Sequence, residues 1–446
     1  MTRIDDFQAR PVPAGRFSRA RRMGGLATGL AGGVALSGAQ ALLTGRRPRL
    51  SELVLTPANL TRLADRLSEM RGAAMKLGQL LSLEAGTFLS PDLEAILARL
   101  RASAHVMPPA QLKQVLHDSY GADFRRLFRS FDTRPLAAAS IGQVHRALTP
   151  DGRALAIKLQ YPGVRAAIDS DLDNAAALIR WSGLWPRELD LAPLIDEARR
   201  QLHEEADYDR EAAALARFGA LLDGDARFVV PALDAHRTRP TALAMSFEPS
   251  APIETLVDAA PDLRDRAMGA LIDLCLRELF DFRLMQTDPN FANYRWRPDS
   301  GQIVLLDFGA TRDISPAVSD GYRALLRAGL SGDHDAILAC LERIGFIKPG
   351  LSAPHRDSIL GMAELGFAVF RGGGAFDFRG NDLADQLRVQ GLAIGGEREL
   401  WHLPPPETLF LQRKIGGLYL LATRIGARVD LPALVQRFAM AGTAGL

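Results

Sequence analysis

Gln286-Thr287-Asp288-Pro289-Asn290-Phe291-Ala292-Asn293, followed by Ile303-Val304-Leu305-Leu306-Asp307-Phe308-Gly309, is the stretch whose reading decides the fold. An aspartate, an asparagine five residues on, and a second aspartate after a short apolar strand place three oxygen-bearing side chains around one strand and its turns. That set suits phosphoryl transfer, which asks little covalent chemistry of a protein. It needs positioned cations, a neutralised phosphate tail and an oriented acceptor. A hard cation such as Mg²⁺ takes oxygen ligands, and Asn293 and Asp307 offer them. Asp288 is placed to orient or deprotonate an acceptor hydroxyl or water. Taken singly, each residue also fits a turn or a helix cap. The spacing, the strand and the pieces upstream together favour a site.

The chain has 54 Lys and Arg, yet only five are lysine: Lys76, Lys113, Lys158, Lys348 and Lys414. Lysine is a compact point charge on a flexible stem and arginine a rigid planar fork. A lysine kept in so arginine-rich a chain marks a place to look. Lys158 ends the apolar run Ala154-Leu155-Ala156-Ile157. It resembles the strand lysine of kinases, which contacts the α/β-phosphates and needs an acidic partner. The expected partner is Glu205, with Glu211 next in line. Upstream lies Ala137-Ala138-Ala139-Ser140-Ile141-Gly142-Gln143-Val144-His145, where a kinase carries its Gly-rich phosphate loop. Small residues let backbone N–H groups approach a phosphate, but alanine is stiffer than glycine, so nucleotide handling should differ. The same stretch also reads as a packed Ala-rich turn.

With 446 residues, 47% hydrophobic and 24% charged, the composition is that of a globular protein with two or three domains. Net charge is +2, which gives no electrostatic argument for nucleic acid. Two cysteines make no disulfide framework and suit a reducing compartment. Residues 1–50 hold a basic arm and an uncharged Gly/Ala-rich run at 23–44, flanked by arginines on both sides. That run reads equally as a packed helix or a membrane-proximal one. Residues 51–133 read as a helical extension. A small sheet follows in 134–250, with strands at Ala138–Leu148 and Ala154–Gln160 joined by the turn Thr149-Pro150-Asp151-Gly152. Residues 165–220 and 262–284 read as helices, the second as one strong helix. A mainly helical part fills 251–446. The fold class is α+β.

These residues resemble the UbiB, or AarF, atypical kinase-like family. The resemblance rests on the Ala-rich loop, on Lys76-Leu77-Gly78-Gln79, and on Gln286–Asn290 with Asn293 and Asp307. It extends to Glu205-Ala206-Asp207-Tyr208 and to Arg413-Lys414-Ile415-Gly416-Gly417. The form Gln-Thr-Asp-Pro-Asn is similar to the coenzyme Q branch. The resemblance implies a kinase-like bilobal fold, a small sheet lobe plus a large helical lobe, with an N-terminal helical extension. It implies ATP and Mg²⁺ as cofactors. Catalytic roles pass to Asp288, Lys158 and Glu205, and metal binding to Asn293 and Asp307. Nucleotide binding passes to Ala137, Ala138, Ala139, Ser140, Gly142, Gln143, Lys158 and, at the hinge, Met245. Lys76 and Gln79 take a regulatory role, in a region that covers the place where a kinase admits a peptide.

The function so implied is Mg²⁺-dependent ATP hydrolysis or small-molecule or lipid phosphotransfer in isoprenoid quinone or lipid synthesis. Partners would be an isoprenoid lipid or quinone precursor, a membrane surface, quinone-biosynthesis proteins and a second copy of the chain. The location would be cytoplasmic and peripheral on the inner membrane face. Two alternatives stand beside it: a nucleotide-switched scaffold, and a conventional Ser/Thr protein kinase. Departures from the family pattern are Phe291-Ala292 after the Asp-Pro-Asn and Ser246 at the hinge, where an acidic residue is common. An Ala-Pro-Glu after Asp307-Phe308-Gly309 is also missing.

Overall fold

The computed structural model describes residues 8–9, 70, 72–84, 105–182, 191–347, 350–395 and 405–440. The basic arm apart from residues 8–9, the 23–44 run, the helix expected after Pro91, and Lys348 lie outside them. The chain forms two compact units: Met1–Ala213 with Ala232–Phe247, and Ala214–Pro231 with Glu248–Leu446.

Among the described residues the first unit opens with the short strand Gln8–Ala9, paired parallel with His105–Val106, and carries helices α1 (Gly72–Glu84) and α2 (Pro109–Tyr120). Strands β1 (Ser130–Phe131), β2 (Ala137–Ala138), β3 (Gly142–Leu148) and β4 (Ala154–Gln160) follow, then helices α3 (Val164–Ser182) and α4 (Ala192–Glu205). Helix α5 (Tyr208–Leu221) starts in the first unit and ends in the second, which also takes β5 (Phe228–Val229), before β6 (Ala242–Ser246) rejoins the first. The second unit continues with β7 (Ala251–Pro252), α6 (Pro261–Arg277), β8 (Leu284–Gln286), β9 (Tyr294–Trp296), β10 (Ile303–Leu305) and β11 (Thr311–Asp313). Helices α7 (Pro316–Ser331), α8 (His334–Arg343), α9 (Ala353–Arg371), α10 (Leu383–Gly395), α11 (Pro406–Ile425) and α12 (Leu431–Met440) complete it. Among the described residues no helix is long and apolar enough to cross a membrane.

In the first unit β3 pairs antiparallel with β1, β2 and β4, and β6 pairs with β4. The β3–β4 turn forms as its sequence predicts. Gly152 takes a φ of 89°, and Thr149 caps the turn with both its backbone N–H and its hydroxyl on the Arg153 carbonyl. Alternation along β4 then sorts its side chains. Leu155, Ile157 and Leu159 enter a core with Leu112, Val115 and Leu116 of α2 and with Phe128 and Tyr161. Lys158 and Gln160 take the opposite face.

The core side of β3 hides a polar relay. His145 is buried, and its Nδ1–H donates to the Asp132 carbonyl at 2.7 Å. Its Nε2 is therefore the acceptor for the Gln143 amide at 2.6 Å, while Gln143 Oε1 accepts the Met107 N–H at 3.0 Å. Burial lowers the His145 pKa from 6.5 to about 4, against the pull of the Asp132 carbonyl. The unfolded chain therefore takes up this proton first. The contribution is full above pH 6.5 and is lost as pH falls through 4. It amounts to about 3 kcal/mol. In chemical unfolding across that window, wild type should lose this stability on acidification, and His145→Asn should show a much flatter dependence.

In the second unit β10 pairs parallel with β5 and antiparallel with β9, and β9 carries β7 on its other side. The pairing of β5 with β10 is why Ala214–Pro231 groups with this unit. A second pair joins β8 and β11, with Gln286 opposite Thr311. The single helix expected over 262–284 is shorter. α6 ends at Arg277, a π-helical turn spans Glu278–Phe282, and Arg283 turns left-handed at a φ of 48°. Leu284–Gln286 is then free to pair as a strand. Likewise the helical stretch expected over 165–220 is divided, and Asp207 starts α5 by accepting the Arg210 N–H at its N-terminus.

Candidate active site

The candidate residues of the first unit are built on β4. Lys158 is 8% exposed, and its Nζ donates to both Glu211 carboxylate oxygens, at 2.7 and 2.9 Å. The ammonium also lies 5.4 Å from the centre of the Tyr208 ring. Two residues along the same face, Gln160 donates to the Ala206 carbonyl at 2.8 Å. The strand thus grips the α4–α5 junction with one side chain and the first turns of α5 with the other.

This corrects the expected partner of Lys158, which is Glu211 and not Glu205. The reason is the helix break. Glu205 is the last residue of α4, whereas Glu211 lies inside α5 on the side facing β4. Glu205 has other work. It accepts Lys76 Nζ of α1 at 2.6 Å and the Ser140 hydroxyl of the Ala-rich loop. Lys76 is 5% exposed, so the Lys-x-Gly-Gln lysine is a buried ion pair rather than a solvated helix face. The side chain of Gln79 lies outside the described residues.

The Ala-rich loop is a tight hairpin. Ala139 N–H closes it on the Gly142 carbonyl at 2.9 Å, and Ala137, Ala138, Ala139 and Ser140 stay half-buried. Helix α1 presses against it: a Cβ on Gly72 would stand 2.9 Å from the Ser140 carbonyl oxygen. A Cβ on Gly142 would stand 2.2 Å from the Leu159 carbonyl oxygen, so no other residue fits between β3 and β4 there. Gln143 is a second correction. Its side chain is buried and occupied with His145 and Met107, turned into the core rather than toward a ligand. At the hinge the Met245 side chain is buried, and the N–H groups of Ser246 and Phe247 bond to the Ala232 and Ala154 carbonyls. The Ser246 hydroxyl accepts the Ala232 N–H at 2.9 Å.

In the second unit β8 leads into the Asp288 turn and β10 into Asp307. Thr287 fixes the turn from both N–H and hydroxyl onto the Ala310 carbonyl, at 3.0 and 2.7 Å. Asn290 caps the short turn Phe291–Asn293 by accepting the Ala292 N–H. Asn293 Nδ2 donates to Asp288 Oδ2 at 2.9 Å. The amide nitrogen being so committed, the oxygen end of Asn293 is what remains for a cation. Leu306 N–H bonds to the Asn293 carbonyl at 3.0 Å, tying the two motifs together, and Asp307 Oδ1 accepts the Gly309 N–H at 2.9 Å. Phe308 is buried against Phe218 of α5, ring centres 4.9 Å apart. One carboxylate and one amide oxygen suit Mg²⁺, which is content with few protein ligands and completes its shell with water and phosphate.

Sequence reasoning assigned no role to Lys414 of α11. It is buried, donates to the Gln286 carbonyl at 2.7 Å, and pairs with Glu278 of the π turn at 2.8 Å. Burial opposes its charge, but Glu278, Tyr294 and Cys275 together outweigh that and hold the ammonium well above its usual range. The available signal was the scarcity of lysine. Lys76, Lys158 and Lys414 are each buried against a glutamate, and Lys113 is exposed.

The profile of the ABC1 atypical kinase-like domain matches residues 99–341. "Atypical kinase COQ8, mitochondrial" of Saccharomyces cerevisiae is 37% identical over 97% of this chain and 86% of its own length. "Atypical kinase COQ8B, mitochondrial" of Danio rerio is 36% identical over 94% of this chain and 68% of its own. Among solved structures, Rv3197 of Mycobacterium tuberculosis, in its complex with erythromycin, is 24% identical. It superposes with a TM-score of 0.58, covering 83% of this chain and 93% of that one. That likeness speaks to fold alone.

Proposed function

The chain belongs to the ABC1, or UbiB/COQ8, family of atypical kinases, and from that premise we propose a Mg²⁺-dependent ATPase or lipid phosphotransferase serving isoprenoid quinone synthesis. The observation that carries the reading is the buried Lys158–Glu211 pair, accompanied by the Asp288–Asn293 contact. Lys158 would neutralise the phosphate tail, with Glu211 holding its ammonium in place. Asn293 and Asp307 would hold Mg²⁺, which supplies charge neutralisation on the phosphates. Asp288, fixed by Asn293, would orient the acceptor and take its proton. An acceptor of isoprenoid chemistry, a membrane surface, quinone-biosynthesis proteins, a second copy of the chain and a place on the inner membrane face belong to the same proposal.

The nucleotide-switched scaffold has one observation in its favour. Glu205 ties Lys76 of α1 to Ser140 of the Ala-rich loop, a restraint on the loop that release of Lys76 would loosen. A conventional protein kinase is disfavoured by the family assignment.

The test is ATP turnover by the full chain without vesicles, with phospholipid vesicles, and with vesicles carrying an isoprenoid quinone precursor. The precursor should raise turnover above phospholipid alone. Equal rates in all three would count against the lipid assignment. Transfer to protein substrates at roughly 1–100 per second would restore the protein-kinase reading.

A further inference from the structure

The Asp288 turn carries the proposed acceptor chemistry, and the precision of such a turn depends also on what packs beneath it. Beneath this one lies α11. Lys414 Nζ, from that helix, meets the carbonyl of Gln286, two residues before Asp288, at 2.7 Å. The same ammonium stands 3.5 Å from Gln286 Oε1, 2.8 Å from Glu278 Oε2 and 5.8 Å from the Tyr294 ring centre. One helical turn away along α11, Gly417 approaches the next residue of the motif. A Cβ there would lie 2.6 Å from Pro289 Cβ. Glu278 reaches this spot because α6 gives way to a π-helical turn, a local device that re-aims side chains.

The fit is specific to lysine. A compact ammonium can serve a carboxylate, a carbonyl and an aromatic face lying in different directions; a planar guanidinium cannot. The chain uses arginine at nearly all its other basic positions.

We propose that Lys414, paired with Glu278, is a positioning residue that fixes the Asp288 turn from below, with Gly417 completing the support at Pro289. Its bearing on turnover rests on the phosphotransfer reading; its bearing on the order of the turn does not.

The test separates the two. Hydrogen exchange across residues 284–293 is measured on the full-length wild type, on Lys414→Arg, and on Lys414→Met/Glu278→Leu, which removes both charges and keeps an apolar core. Exchange in that segment should rise by about tenfold or more in both variants, one step of local opening. Exchange elsewhere should be unchanged. Turnover should fall by about tenfold or more, through kcat more than through the KM for ATP, because the phosphate-binding lysine is untouched. If the double variant does not fold, Gly417→Ala perturbs the same turn through Pro289 and should give the same local signature. Wild-type exchange across 284–293 in the folding variants would overturn the proposal, as would full turnover in them. A wild type without turnover would instead defeat the phosphotransfer reading, and the exchange result would still decide the positioning role.

Discussion

Asp307→Asn should lower Mg²⁺-dependent ATP turnover on the order of 100- to 1,000-fold, the usual scale for removing one electrostatic contact of a transferring group. The substitution removes a charge and almost no shape. Asp307 Oδ1 accepts the Gly309 N–H, and an amide oxygen can take its place. The Phe308–Phe218 contact that seats the segment is untouched. The melting temperature should therefore stay close to wild type while turnover collapses. A loss of turnover accompanied by unfolding would be uninformative, which is why the isosteric change is preferred to alanine. Full turnover in a folded Asp307→Asn protein would remove Asp307 from the metal site.

Glu211→Gln should destabilise the first unit by about 3–5 kcal/mol, the scale for stranding a buried charge. Lys158 and Glu211 are 8% and 1% exposed, so neither can turn to water without opening the α5–β4 packing. The apolar pair Lys158→Met/Glu211→Leu should regain most of that stability. It should still fail to bind nucleotide, since no cation remains for the phosphate tail. Glu205→Gln should behave differently: it weakens the tie to Lys76 and Ser140 but leaves the Lys158–Glu211 pair whole. Chemical unfolding and a nucleotide titration on the three proteins read both quantities. Loss of nucleotide binding in Glu205→Gln, with binding kept in Glu211→Gln, would return the partnership to Glu205.

How far the sequence reached depends on whether a feature is local. The Asp288–Asn293 contact spans five residues, and the run from Ile303 leads straight into Asp307, so spacing alone brought these groups together. The β3–β4 hairpin was legible for the same reason. The partner of Lys158 was not. Glu205 and Glu211 are six residues apart in one acidic stretch, and the choice depends on where α4 stops and α5 starts. Ala206 and Asp207 make that break, and an unbroken helical pattern hides it. Gln143 was misread because its neighbours are small loop residues. Its own place in β3 turns it inward, where the buried His145 is the better partner. Lys414 meets Gln286 across 128 residues, a contact no local pattern encodes. Only the rarity of lysine pointed there, and it pointed without naming a partner.

The most direct measurement of the central claim is a calorimetric titration of ATP into the full chain, with Mg²⁺ and then with excess EDTA. The account predicts saturable binding of one ATP per chain that weakens sharply when the metal is removed, with the Mg²⁺-dependent part lost in Asp307→Asn. Binding that is indifferent to both Mg²⁺ and Asp307 would contradict it.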